Sequence, residues 1–201
     1  GAANNIVKKA PYPKSVSLNP SNFHLIIPKM VVKVGEKVNA GDVIFYSKKD
    51  ERIKFCSPVD GIIKEIVRGA KRKIIEIVID ADKNQKKLNP STIKFEKLND
   101  YEIKNTILNS GCWPFIKQRP YDVIANPSDK PKSIFISSFN SAPISADFKI
   151  ILEDQKEEFK TGLQVLSKLT DGEINICIQK DVSTFINDIK GIKVHSVSGP
   201  H

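Results

Sequence analysis

The sequence predicts two folded parts in series, an all-β unit followed by a parallel α/β domain. Three observations carry this. Short β-branched runs from Phe23 to Ile79 are separated by Pro, Gly or Asp clusters at regular spacing. A polar, basic stretch follows Asp82. Beyond it, apolar residues at helical spacing lie between strand-like runs. At 201 residues, 40% hydrophobic and 27% charged, the chain is long and apolar enough to build one large core or two small ones.

Residues 1–22 read as an extended arm, because Pro11, Pro13 and Pro20 oppose regular structure. Gly1 to Asn5 lack an initiator Met and the charged-then-apolar order of a signal peptide, which suggests a processing or expression scar. In residues 23–82 the strand candidates are Leu25-Ile26-Ile27, Val31 to Val34, Val43 to Ser47, Ile53 to Cys56, Gly61 to Val67 and Lys73 to Ile79. Residues 83–98 form the expected linker. In residues 99–201 a helix is expected over Asp100 to Asn109, capped by Asn99 or Asp100 and followed by Gly111. Phe159, Leu163, Leu166 and Leu169 mark a second helix, with Gly172 as its left-handed terminator. Strands are expected over Ser133 to Ser137, Ile174 to Ile178 and Lys193 to Val197, with a short helix at Ser183 to Ile189. Strands alternating with helices imply a parallel sheet. Nothing follows Ser198-Gly199-Pro200-His201 to cover the last strand, so this domain is expected to be incomplete.

Several function classes are disfavoured. The longest apolar run, Val43 to Tyr46, is far short of the ~20 residues that cross a bilayer, so no transmembrane segment is expected. Cys56, Cys112 and Cys177 form no C-x-x-C pair, and His24, His195 and His201 form no spaced pair, which argues against a metal site and for three reduced thiols. The net charge of +9 is unevenly placed. Residues 1–98 hold 20 Lys/Arg against 10 Asp/Glu, and residues 99–201 hold 12 against 13. Such a patch attracts nucleic acid, anionic lipid or an acidic protein face. With 28 Lys to 4 Arg, the residue that reads bases and phosphates bidentately is scarce, and no nucleic-acid partner is expected.

Val32-Lys33-Val34-Gly35-Glu36-Lys37-Val38-Asn39-Ala40-Gly41-Asp42-Val43-Ile44 and Ser57-Pro58-Val59-Asp60-Gly61-Ile62-Ile63 repeat one half-unit logic. Together they resemble the biotinyl/lipoyl-like barrel-sandwich hybrid. In carriers of that fold a central hairpin presents the modified lysine, usually after a methionine. The hairpin Ser47-Lys48-Lys49-Asp50-Glu51-Arg52-Ile53 has no such methionine and places acids beside the tip, so no covalent attachment is expected. A carrier or a simple docking module is the alternative reading.

Lys54-Phe55-Cys56-Ser57-Pro58-Val59-Asp60-Gly61, Arg68-Gly69-Ala70-Lys71-Arg72 and Ser110-Gly111-Cys112-Trp113 through Arg119-Pro120-Tyr121 carry a wider resemblance. So do Asn140-Ser141-Ala142-Pro143-Ile144-Ser145-Ala146-Asp147, Gly162-Leu163-Gln164-Val165-Leu166 through Thr170-Asp171-Gly172, and Ser198-Gly199-Pro200-His201. In this order the blocks resemble the A-subunit family of the sodium-translocating NADH:quinone reductase and, more distantly, the C-subunit family of Rnf complexes. The resemblance implies a Rossmann-like α/β domain related to flavin-binding subunits. It further implies a peripheral subunit on the cytoplasmic face of the bacterial inner membrane, working with the other subunits of the same complex. Catalysis would belong to the complex rather than to the isolated chain. Flavins and iron–sulfur clusters are expected in partner subunits and none on this chain. A flavin loop needs several glycines so that backbone N–H groups reach the phosphate, whereas Gly111 stands alone before Cys112-Trp113-Pro114-Phe115.

The family has been associated with quinone, which needs an apolar slot with aromatic faces and hydrogen-bond donors. Trp113, Phe115 and Arg119 supply those types in one loop and are the candidate site residues. The same residues also suit a structural role, with Trp113 and Phe115 filling the vacated flavin space and Arg119 paired with a carboxylate.

Overall fold

Ile77 and Ile79 alternate with outward-facing neighbours, and Val16 and Leu18 with serines, the period-two pattern of strands with one buried face. A computed structural model describes residues 7, 8, 10–86, 95–142, 145–180 and 185–199 and shows what this pattern builds. The described part of the chain divides into two compact units. The first takes in Lys8–Lys94 and Lys104–Asp129, the second mainly Phe95–Ile103 and Lys130–His201.

In the first unit the strands are β1 (Ser15–Leu18), β2 (Pro28–Met30), β3 (Lys37–Val38), β4 (Val43–Ser47), β5 (Asp50–Cys56), β6 (Gly61–Arg68) and β7 (Ile74–Ala81). They form two antiparallel sheets, ordered β1-β7-β6-β3 and β2-β4-β5. The core takes Ile44, Phe45, Ile53 and Phe55 from one sheet and Val38, Ile63, Ile74, Ile77 and Ile79 from the other. Phe45 stacks on Phe55 at 4.4 Å between ring centroids. This is the expected barrel-sandwich arrangement.

Three local expectations are corrected. Ser15–Leu18 is not an unpaired arm: the prolines flank the stretch rather than interrupt it, and Val16 pairs opposite Ile79. Leu25 to Ile27 and Val31 to Val34 are not strands, and His24 lies in a turn. Leu25 is 60% exposed with a left-handed φ of 60°, and β2 begins instead at Pro28, on a sheet edge where a missing N–H does no harm. Gln85 and Lys86, expected in the linker, hydrogen-bond back to Asp60. The remainder of that stretch, residues 87–94, lies outside the described residues.

Asp60 explains the return. Its carboxylate is 4% exposed, and its two oxygens accept from the Ala40 and Lys86 amides at 2.8 Å each. Gln85 accepts from the Asp60 N–H at 2.7 Å and donates to the Asp60 carbonyl at 2.9 Å. The next residue, Gly61, has no room for a side chain, because a Cβ there would collide with the Asp80 carbonyl oxygen.

Helix α1 (Asp100–Asn109) matches its expected span. Asn99 is the cap: its side chain accepts from the Glu102 amide, and Glu102 accepts from the Asn99 amide, both at 2.9 Å, a capping box. Gly111 follows with φ 74°. A short ribbon of β8 (Lys117–Gln118) and β9 (Val123–Ile124), unforeseen in the sequence, completes the first unit.

The second unit holds β10 (Ile134–Ser137), α2 (Phe148–Ile151), α3 (Lys156–Ser167), β11 (Ile174–Gln179) and β12 (Ile192–Val197). The sheet is parallel, in the order β10-β11-β12. Leu163 packs with Ile174, Ile176, Ile178 and Ile186, and Phe159 and Leu166 flank them, as the helical spacing requires. Gly172 is not a left-handed terminator. The helix ends at Ser167, and Gly172 is small because a Cβ would strike the Lys132 carbonyl. Helix α2 was unforeseen. Of the expected short helix, Phe185–Asp188 is a 3-10 turn, while Ser183 and Thr184 lie outside the described residues.

Two measurements test this framework. Gly61→Ala should destabilise the chain by about 1–3 kcal/mol in urea unfolding, since the colliding atom is backbone. Hydrogen bonds from the Lys86 and Ala40 amides hold the Asp60 pKa below its ordinary value, so its contribution is present above the unfolded pKa and lost as pH falls through the folded one. Asp60→Asn should therefore be less stable than the parent at pH 7, with the gap closing below roughly pH 4.

Candidate functional site

Three places hold side chains suited to chemistry. The first is the β4–β5 hairpin, whose turn is Lys48-Lys49. Ser47 is buried at its base, while Asp50 is held below its ordinary pKa chiefly by its hydrogen bond from Arg52. Both lysines are exposed. The position is that of a carrier hairpin, with the acidic neighbours the sequence indicated.

The second is the Trp113 loop. Trp113-Pro114-Phe115 is a single 3-10 turn, after which β8 and β9 frame Arg119-Pro120 and Asp122. Trp113 is 3% exposed, and its indole N–H donates to the Ala125 carbonyl at 2.7 Å. Phe115 is 76% exposed and meets Phe23 edge-on at 6.4 Å. Arg119 points to solvent, 3.9 Å from Asp122, whose pKa is lowered mainly by a hydrogen bond from Lys117. Trp113 thus sits in the core, Phe115 does not, and Arg119 pairs with a carboxylate. The three side chains do not converge on a common cavity. Next to this loop the Cys56 sulfur packs against Gly111, and burial raises its pKa, which keeps it a thiol rather than a nucleophilic thiolate.

The third place was missed. At the carboxyl ends of β10 and β11, Phe139, Phe148, Leu152, Ile178, Phe185 and Ile186 line a slot of about 40 Å3, with Ser138, Lys149 and Gln179 at its polar edge. Ser138 donates to the Cys177 carbonyl at 2.7 Å, so its hydroxyl is already oriented. Open parallel sheets bind ligands at such strand ends, and that rule was the available signal. The residues are too scattered in sequence to announce themselves. A slot of this size admits the edge of a ring and not a whole headgroup.

The chain matches two family models, the NqrA N-terminal barrel-sandwich hybrid domain over residues 1–82 and the NqrA second alpha/beta domain over residues 98–201. Among curated relatives, the A-subunit of the Na(+)-translocating NADH-quinone reductase from Marinomonas sp. is 32% identical over all of this chain and 45% of its own length. The A-subunits of the same reductase from Pseudomonas aeruginosa and Rhodopirellula baltica are each 30% identical, covering 100% and 97% of this chain and 45% and 44% of their own lengths. The chain spans less than half the length of these relatives.

Two outcomes follow from the geometry. Trp113→Phe should lower stability by about 1–2 kcal/mol by leaving the Ala125 carbonyl unpaired, whereas Phe115→Ala should be nearly neutral in the same melts. Co-expression with a biotin or lipoate ligase should leave the intact mass unchanged. An increment on Lys48 or Lys49 would establish a carrier.

Proposed function

The chain belongs to the NqrA family, and from that premise we propose that it is the amino-terminal part of a peripheral subunit in a sodium-translocating NADH:quinone reductase. It supplies assembly surface on the cytoplasmic face of the membrane and meets the quinone, while flavins and iron–sulfur clusters belong to partner subunits. Among the described residues no helix is long and apolar enough to cross a membrane, which suits a peripheral placement.

The observation that carries the quinone part is the slot at the ends of β10 and β11. Its three phenylalanines offer ring faces, and Lys149 offers a donor at the rim, while the Ser138 hydroxyl, its hydrogen given to the Cys177 carbonyl, is left to accept. A quinone ring enters this slot edge-on. Trp113 supports the cofactor-free reading, since a buried indole follows Gly111 in place of further glycines.

Two experiments test the proposal. The full-length subunit should co-purify with the integral membrane subunits of its complex, and failure to do so in mild detergent would contradict the assembly role. A photoreactive quinone should label peptides containing Phe139, Phe148 or Phe185, and Phe148→Ala should raise the quinone KM about tenfold, the scale of one lost aromatic contact. Labelling confined to other peptides removes the slot from the mechanism.

A further inference from the structure

Between β6 and β7 the chain reverses through Gly69 and a 3-10 turn, Ala70–Arg72. Arg68, Lys71, Arg72 and Lys73 place four exposed cations within six residues. Among the described residues none of the four forms an ion pair, although Glu65 and Glu76 stand nearby on the two strands. The turn is nevertheless ordered. Gly69 donates to the Lys73 carbonyl at 2.8 Å, Lys73 donates to the Ala70 carbonyl at 3.2 Å, and the Arg68 guanidinium reaches the Arg72 carbonyl at 3.3 Å.

Lys71 and Arg72 are consecutive left-handed residues, at φ 54° and 59°. Glycine or asparagine would make the same reversal with less strain. A turn that keeps two long cations in that conformation retains them for their side chains, and strain of this kind points to a function. Ile75 lies beside the tip. It is 45% exposed, and its Cδ1 is 2.6 Å from where a Gly69 side chain would begin.

We propose that the β6–β7 tip is a contact for an anionic phospholipid surface, with Arg68, Lys71, Arg72 and Lys73 on the headgroups and Ile75 at the acyl boundary. Cations around an exposed aliphatic side chain match the order of a bilayer interface, polar above and apolar below. Duplex nucleic acid offers the cations phosphates but gives Ile75 nothing apolar to bury. The site is separate from the quinone slot, so either can fail alone.

Vesicle co-sedimentation of the full-length subunit decides the matter. Binding should appear with vesicles containing phosphatidylglycerol, be absent with pure phosphatidylcholine, and vanish near 1 M salt, where the screening length is about 3 Å. Each cation near such a surface contributes roughly fivefold, so Lys71→Gly with Arg72→Gly should weaken binding about 25-fold. The melting temperature should not fall, because glycine accepts these dihedral angles. Ile75→Ser should weaken binding further, whereas Lys48→Gln with Lys49→Gln should not. Equal binding to neutral vesicles, an unaffected double-glycine variant, or an equal loss with the Lys48 and Lys49 changes would overturn the proposal. So would tip-dependent binding of duplex DNA with no binding to vesicles.

Discussion

The first unit depends on a single buried carboxylate. Both Asp60 oxygens are committed to backbone amides, Ala40 twenty residues before it and Lys86 twenty-six after. Its own N–H and carbonyl are taken by Gln85, and the carbonyl also accepts from the Asp82 amide. A buried carboxylate is tolerable only when its lone pairs are filled, and here backbone donors fill them, with the charges of Lys86 and Lys37 as a smaller aid. The arrangement pins the loop before β4, the turn before β6 and the chain leaving β7 to one point. Gly61, directly after it, then lets β6 pass close to the Asp80 carbonyl. The two half-units are therefore fastened by hydrogen bonds as well as by the shared core of Phe45, Phe55, Ile63 and Ile77.

This constraint also shows why the sequence was legible in some places and opaque in others. β4 through β7 were visible because each is a short run carrying β-branched residues and bounded by turn residues. β1 was hidden, since a stretch of serines between prolines becomes a strand only when β7 offers it an edge. Leu25 to Ile27 failed in the opposite sense: they have strand-forming side chains and no partner in register, and propensity without pairing does not make a strand. Gly172 misled because a cap rule and a close-approach rule both demand glycine, and only the Lys132 carbonyl decides between them. In the candidate site, Trp113, Phe115 and Arg119 looked like one cluster because they are close in sequence. On the short turn and ribbon that follow α1 they diverge, one inward and two outward. The slot residues are far apart in sequence, and parallel topology alone gathers Phe139, Phe148 and Phe185 at the strand ends.

The charge asymmetry now has a structural counterpart. The excess of Lys and Arg lies in the half that folds as the barrel, and part of it is concentrated at a strained turn. The slot belongs to the half whose charges nearly balance. An apolar slot gains nothing from a strong local field, whereas a long-range attraction weakens when opposite charges are mixed into it. If both proposals hold, their division between the two halves would let the charged surface and the apolar slot be tuned independently.

The loop after α1 is closed by its own side chains. Gly111 keeps its left-handed conformation, and its small size makes room for the Cys56 sulfur that rests against it. The residues that follow are bulky, and the Trp113 indole closes onto the Ala125 carbonyl. A glycine-rich loop binds phosphate because its N–H groups are exposed and its surface is bare. This loop has a buried side chain and a satisfied donor instead, so it works as a clasp between α1 and the β8–β9 ribbon. The proposed ligand slot lies instead at the strand ends of the second unit, where side chains and not backbone amides line the opening.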